Sequence, residues 1–158
     1  MEISFTAEIK PHGKQRARFA RLPNGAVSSY TPKETARFEN AIACAYRLAL
    51  HDARKLFGPG TPVGMEAAFY MPIPRSVSRR ERERLLGEWH TKKPDGSNVI
   101  KSVEDALNKL AYEDDGQIAD SHFIKIWSDR PRVEVRLFAL KPRTTRIGDP
   151  DYAPILEF

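Results

Sequence analysis

Apolar and polar residues alternate in several stretches of the chain, which is the pattern of a half-buried strand. The alternation is regular in residues 3–9, and in residues 63–72 a largely apolar run ends at Pro72 and Pro74. Two further stretches flank the turn sequence Ser-Asp-Arg-Pro at residues 128–131, so we expect an antiparallel hairpin there. Strands are therefore predicted at residues 3–9, 63–72, 117–127 and 132–140.

Apolar residues at intervals of three and four predict two longer helices. The first begins near Pro32, since proline suits the first helical turn, and continues to about residue 51. The second covers residues 98–110 and carries an apolar stripe that includes Val99 and Val103. Residues 76–88 alternate Arg and Glu and are predicted to form a short charged helix, either as a solvated face or as an arm that contacts phosphates.

Strands at both ends of the chain with helices between them predict a small single-domain α+β fold. We expect a layered arrangement, in which a mixed or antiparallel sheet has helices packed on it. The 158 residues are enough for one domain with its own core. This domain is predicted to cover residues 1–140, and residues 141–158, which show little periodicity, are predicted to be a C-terminal tail.

Charge is distributed unevenly along the chain. The net charge is +5 and the sequence pI about 9.4, which is compatible with a polyanionic partner. Residues 1–60 carry ten Lys or Arg against five acids, whereas residues 95–120 carry seven acids against two lysines. A basic chain with one acidic island suits a metal-dependent nuclease, because cations hold the phosphate backbone and carboxylates hold the metal.

Basic residues cluster around residues 15–30, which are predicted to be a hairpin with the turn signal Pro-Asn-Gly near its centre. Lys14, Arg16 and Arg18 lie at its start, next to a glycine. We expect these three side chains to contact DNA phosphates, with solvated surface cations as the alternative.

The remaining composition excludes several classes of protein. Cys44 is the one cysteine, so an internal disulfide and a cysteine-rich zinc site are excluded, and we expect it to be a small buried side chain. No apolar run reaches about 18 residues, so no membrane span is expected. The N-terminus lacks the features of a signal peptide, and a cytoplasmic location is expected.

The acidic island contains a set of residues suited to phosphodiester hydrolysis. Asp95 lies in a turn ahead of the predicted helix, Lys101 lies on the polar face of that helix, and Asp114 and Asp115 lie in the turn after it. Mg²⁺ prefers oxygen ligands and usually takes one or two protein carboxylates. We predict Asp95 and Asp115 as metal ligands, Asp114 as a third, and Lys101 as the cation that stabilises charge at the phosphate.

Each of these residues also has a structural interpretation. Asp95 could cap the helix, and Lys101 with Asp105 forms an ordinary pair four residues apart. Asp114, Asp115 and the glycine that follows could simply form a turn. Spacing alone leaves both interpretations open.

The order of the motif KPDGSNVIKSVEDALNKLAYEDDGQI resembles the signature of the RusA-type Holliday junction resolvases. Flanking segments are also similar to that family: GKQRARF at residues 13–19, YTPKETARFENAI at 30–42 and AAFYMPIPRSVSRRER at 67–82. The matching motif residues are Lys93, Pro94, Asp95, Asn98, Lys101, Asp105 to Asn108, Tyr112, Asp114, Asp115 and Gln117.

This resemblance implies a homodimeric endodeoxyribonuclease that resolves Holliday junctions in DNA recombination and repair. Paired symmetric nicks, one per subunit, would match the two-fold symmetry of a four-way junction. Mg²⁺ is the implied cofactor, with Mn²⁺ as a substitute. The ligand roles fall on Asp95, Asp114 and Asp115, and the role of the charge-stabilising lysine falls on Lys101.

Two positions depart from the family pattern. Ser97 replaces the second aspartate of Asp-x-Asp, and a hydroxyl is a poor neutral substitute for a carboxylate ligand. Either Asp114 and Asp115 supply the missing charge, a water replaces the ligand, or activity is reduced or lost. The last case makes a catalytically silent branched-DNA-binding protein the alternative function, and broader branched-DNA or flap specificity is the alternative among nucleases. Lys109 stands where the family has glycine, and we expect it to be a surface cation.

Overall fold

The computed structural model describes residues 1–21, 23–50 and 56–141. In chain order the elements are β1 (Glu2–Ala7), β2 (Arg18–Arg21), β3 (Val27–Tyr30), α1 (Lys33–Leu50), β4 (Val63–Pro72), α2 (Arg79–Leu85), α3 (Gly96–Leu107), β5 (Ile118–Ser128) and β6 (Arg132–Ala139). A one-turn 3₁₀ helix, Asp115–Gln117, joins α3 to β5. These elements confirm the predicted α+β class, and α2 is shorter than the predicted charged helix.

A mixed four-stranded sheet with the order β1-β6-β4-β5 forms the centre of the fold. β4 runs parallel to β5 and antiparallel to β6, so the predicted hairpin of the last two strands is wrong. The physical reason is burial. Val63 and Met65 of β4 are fully buried, whereas Phe123 and Ile124 of β5 keep about two fifths of their surface exposed. The most apolar strand therefore lies between the other two, and β5 forms an edge.

Helices α1 and α3 pack against one face of this sheet and against each other. The largest fully buried side chains come from both layers: Tyr46 and Phe38 from α1, Phe69 from β4 and Leu107 from the end of α3. Each of the buried Phe and Leu side chains stabilises the fold by about 1.5–3 kcal/mol relative to leaving it in water. This shared core fixes α3, and with it the motif residues, on the sheet.

The predicted basic hairpin is present as a separate two-stranded sheet of β2 and β3. Its turn contains Gly25 at a positive φ of 83°, and the side chain of Asn24 accepts a hydrogen bond from the Ala26 amide at 3.1 Å. Beyond Lys141, the predicted C-terminal tail lies outside the described residues, and the boundary at residue 140 stays a prediction.

Cys44 is exposed, so its predicted burial is wrong. The reason is its position on α1, where Ile42 and Tyr46 point into the core and residue 44 faces outward between them. Within residues 1–21, 23–50 and 56–141, no helix combines the length and the apolar character needed to cross a membrane.

Helix α3 ends in a left-handed residue that is not glycine. Asn108 is the C-cap, and Lys109 follows it with a φ of 63°. A side chain at this conformation brings its Cβ too close to the following carbonyl, which is why glycine is common at the position after a helix cap. The Lys109 side chain is 66% exposed, which confirms its prediction as a surface cation.

We therefore predict that Lys109→Gly is more stable than Lys109→Ala by about 1 kcal/mol, because glycine relieves the left-handed strain and alanine does not. Both variants lose the same lysine contacts, so the difference between their free energies of unfolding reports the cost of the backbone conformation at position 109. Urea unfolding of the two variants measures it. Equal midpoints would show that the backbone at position 109 is not strained.

Candidate active site

Asp95 occupies the N-cap position of α3. Its backbone is extended, and its carbonyl accepts hydrogen bonds from the amides of Asn98 at 3.1 Å and Val99 at 3.2 Å. The carboxylate of Asp95 makes no side-chain capping hydrogen bond within the described part of the chain. The helix therefore begins without this carboxylate, whose oxygens remain exposed at the positive end of the helix dipole.

Strand β5 holds the loop that carries Asp95. Lys125 donates from Nζ to the carbonyls of Pro94 at 2.7 Å and Lys92 at 2.9 Å. A Cβ on Gly96 would lie 2.0 Å from Cε2 of Phe123, so the close packing of this ring requires glycine at the start of α3. The motif loop is thus fixed on the sheet edge from two sides.

The segment before the basic hairpin packs on the same loop. The Lys14 amide donates to the Asn98 carbonyl at 2.9 Å, and a Cβ on Gly13 would lie 3.0 Å from Cβ of Pro94. Lys14 therefore precedes β2 and lies at the N-terminal end of α3, rather than on the strands of the hairpin.

Four carboxylates from three elements surround two lysines, and we call this group the acidic cluster: Glu39, Glu104, Asp105 and Asp115. Lys101 Nζ lies 2.6 Å from Asp115, 3.5 Å from Asp105 and 3.6 Å from Glu104. Lys14 Nζ lies 3.1 Å from Glu39 and also forms an ion pair with Asp105. Asp105 is therefore shared by both ammonium groups.

The pKa values in the acidic cluster follow from these contacts. The hydrogen bond with Asp115 raises the pKa of Lys101, and the same bond lowers the pKa of Asp115. Burial raises the pKa of Glu104. Partial burial lowers the pKa of Lys14, but its bonds to Asp105 and Glu39 outweigh burial and raise it overall. Both lysines are accordingly positively charged at neutral pH.

Asp114 and Gln117 shape the turn between α3 and β5. Asp114 Oδ1 accepts from the Gly116 amide at 3.0 Å, and Lys109 Nζ lies 3.6 Å from Asp114 Oδ2. Gln117 Oε1 accepts from the amides of Glu113 and Asp114, and its Nε2 donates to the carbonyls of Gly58 at 2.8 Å and Thr61 at 3.0 Å. These bonds fix Asp115, which lies between the two residues, beside Lys101.

The structure thus joins some predicted site residues directly and not others. Lys101 and Asp115 are in contact, whereas Asp95 lies six positions before Lys101, a rise of about 9 Å along a helix. Arg16 is exposed in the segment before β2, and the side chain of Arg18 lies outside what the structure describes.

The sequence analysis paired Lys101 with Asp105 only as an ordinary ion pair, which the structure confirms, and it did not name Glu104 or Glu39 as site residues. Asp105 and Glu104 lie one helical turn after Lys101, and this spacing was a usable signal. Glu39 lies on α1, and no local pattern links it to Lys14.

Asp115 of the acidic cluster and Asp95 at the start of α3 offer the oxygen donors that a hard divalent cation prefers. Among residues 1–21, 23–50 and 56–141, no three carboxylate, imidazole or thiolate groups converge closely enough to hold a metal ion. Mg²⁺ commonly takes only one or two protein carboxylates and completes its shell with water. Asp115 with the uncapped carboxylate of Asp95 would supply such a set, in oxygen donors alone.

Comparison with known proteins finds a matching family model and similar proteins from a bacterium and a phage. The family model described as endodeoxyribonuclease RusA matches residues 8–138. A protein named uncharacterized protein YqaN, from Bacillus subtilis (strain 168), is 34% identical over 139 residues, which are 85% of this chain and 94% of that protein. A crossover junction endodeoxyribonuclease rusA from Lactococcus phage r1t is 22% identical over 137 residues, covering 86% of this chain and 95% of the phage protein.

Proposed function

The chain belongs to the endodeoxyribonuclease RusA family, and we propose that it resolves four-way DNA junctions by Mg²⁺-dependent, paired and symmetric nicks. Membership in this family implies endodeoxyribonuclease activity. The phage relative is named for crossover junctions, which supports the choice of substrate. The observation that carries the proposal is the contact of Lys101 with Asp115, beside the loop that presents Asp95.

Each site residue then has a distinct task. Asp95 and Asp115 would hold Mg²⁺, or Mn²⁺ in its place, and Asp114 would assist through Oδ2, because its Oδ1 is occupied by the Gly116 amide. The metal, when bound, activates a water and stabilises charge on the phosphoryl oxygens. Lys101 would place its ammonium next to the phosphate, where negative charge increases during cleavage.

DNA binding would rest mainly on basic side chains outside these carboxylates. Lys14, Arg16 and Arg18 are proposed to contact backbone phosphates, with Lys14 acting from the acidic cluster, Arg16 from the segment before β2 and Arg18 from β2 itself. Such contacts release counterions and make affinity depend on salt. We expect the protein to bind DNA in this way in the cytoplasm, in the course of recombination and repair.

The chain is proposed to act as a homodimer. One active site per chain cannot nick two opposed strands together, and two-fold symmetry would place one site on each strand. The second candidate function, a silent branched-DNA-binding protein, is favoured by Ser97, which lies exposed in the first turn of α3 without a carboxylate.

We predict that Asp95→Asn and Asp115→Asn abolish cleavage of a labelled four-way junction in Mg²⁺ while junction binding stays intact or becomes tighter. Loss of a ligand charge removes metal binding, whereas less negative charge reduces repulsion of DNA. Gel analysis of single-turnover cleavage, with gel-shift binding in parallel, measures both effects. Asp129→Asn, which changes an exposed aspartate paired with Arg82 on the surface, is the matched control. Cleavage at the wild-type rate by Asp95→Asn would disprove this site.

Ser97→Asp tests whether position 97 belongs to the metal shell. If it does, the added carboxylate tightens Mg²⁺ binding and raises the cleavage rate, since the shell gains a charged oxygen ligand. Titration of the cleavage rate with Mg²⁺, for wild type and variant, measures the change. An unchanged Mg²⁺ dependence would place residue 97 outside the shell, and a wild type that binds junctions but never cleaves them would favour the silent DNA-binding protein.

The homodimer is tested by sedimentation. At micromolar concentration we expect about twice the chain mass of 18.0 kDa. The junction products should be paired nicks under the same conditions. Paired nicks made by a species that sediments as a monomer would contradict the two-subunit arrangement.

A further inference from the structure

Asp105 connects two lysines that come from distant parts of the chain. It forms ion pairs with Lys14, from the segment before β2, and with Lys101, four residues earlier on α3. Its side chain is 23% exposed, less than the 37% of Lys14 and the 47% of Lys101. The less exposed carboxylate is therefore contacted by two longer and more exposed side chains, one from its own helix and one from the N-terminal segment of the chain.

The position of Lys14 is determined by more than this ion pair. Its amide donates to the Asn98 carbonyl on α3, and its ammonium also lies 3.1 Å from Glu39 on α1. A surface lysine that serves only as a phosphate anchor needs no such support, since a flexible ammonium follows the DNA backbone as a point charge. The bonds to α1 and α3 hold this ammonium beside the motif.

Two ammonium groups at one place repel each other unless an anion lies between them. Asp105 supplies that anion, and Lys101 gains a second partner in Asp115 at 2.6 Å. The result is a pair of cations on one carboxylate next to a proposed metal ligand. Such a pair suits a phosphate whose negative charge grows during cleavage.

We propose that Asp105 is a positioning residue that holds Lys14 beside Lys101, so that Lys14 acts on the phosphate being cleaved. This rests on the proposed nuclease function and assigns to that site a second lysine and the carboxylate that orders both. Lys14 thus differs from Arg16, whose exposed side chain would bind phosphates away from the cleaved bond.

The test is a double-mutant cycle on the single-turnover rate of junction cleavage at saturating Mg²⁺ and protein. Lys14→Gln and Asp105→Asn should each lower the rate by about 10²-fold, because the first removes the ammonium group and the second releases it from its position. The double variant should be no slower than the slower single variant, since both changes remove one arrangement. Independent roles would instead multiply the two losses to about 10⁴-fold, which would overturn the proposal.

Junction affinity separates positioning from anchoring. Lys14→Gln should lower the cleavage rate far more than it weakens junction binding, whereas Arg16→Gln should act mainly on affinity and lower the salt slope by about 0.9 for the lost phosphate contact. Equal losses of affinity for the two variants, with no loss of rate for Lys14→Gln, would make Lys14 a simple anchor. Glu83→Gln, which breaks an exposed pair with Arg79 on α2, is the control for surface charge.

Conservative variants keep the test valid if Asp105→Asn folds poorly. Lys14→Arg and Asp105→Glu retain both charges and should recover part of the lost rate, and circular dichroism confirms folding. No recovery from either variant would count against positioning through the ion pair. Wild-type protein that cleaves no junction would overturn the nuclease proposal itself, whereas active wild type with a fully active Lys14→Gln would overturn only the role of Lys14.

Discussion

Four carboxylates meet beside α3, and their mutual repulsion must be balanced within a few ångströms. Like charges at this distance destabilise one another unless cations lie between them. Lys101 supplies one such charge from α3 itself, and Lys14 supplies the other from the segment before β2. The ion pairs of Lys14 therefore have two effects. They reduce the repulsion among the carboxylates, and they attach the segment before β2 to α3 and α1.

The same arrangement explains how a basic protein can present acids to DNA. A bare acidic surface repels phosphates, whereas carboxylates interleaved with ammonium groups leave a local charge near balance. Asp95 is held by its N-cap position on α3, which leaves its carboxylate uncapped, and Asp115 is held in the turn fixed by Gln117, with its carboxylate on Lys101. Their oxygens are thereby kept near a site where a divalent cation would act.

Local patterns in the sequence predicted most elements but not their pairing. Alternation located β1, β5 and β6, and an apolar run located β4, to within a few residues, because these patterns depend only on neighbouring residues. The order of strands depends on which strand is most buried, a comparison between distant segments. The buried side chains of Val63 and Met65 place β4 between β6 and β5, and this separates two strands that are neighbours in sequence.

The candidate site likewise contains contacts that the local sequence could predict and contacts that only the packing of distant segments creates. The contact of Lys101 with Asp115 lies inside one motif and was within reach of the spacing argument. The ion pair of Lys14 with Asp105 joins residues 91 positions apart, and Glu39 lies on a third element, so only the packing of α1 on α3 brings them together. The capping of the turn by Asp114 was one of the structural alternatives, and it accounts for one of the two oxygens of that residue.

As a metal-dependent nuclease, this chain would take up a divalent cation on its carboxylates. Mn²⁺ binding followed by electron paramagnetic resonance, with wild type and Asp115→Asn compared in the presence of junction DNA, tests it most directly. We expect Mn²⁺ to be bound by the wild type, displaced by excess Mg²⁺ and not bound by the variant. Mn²⁺ that remains free with the wild type, or that binds equally to the variant, would contradict it.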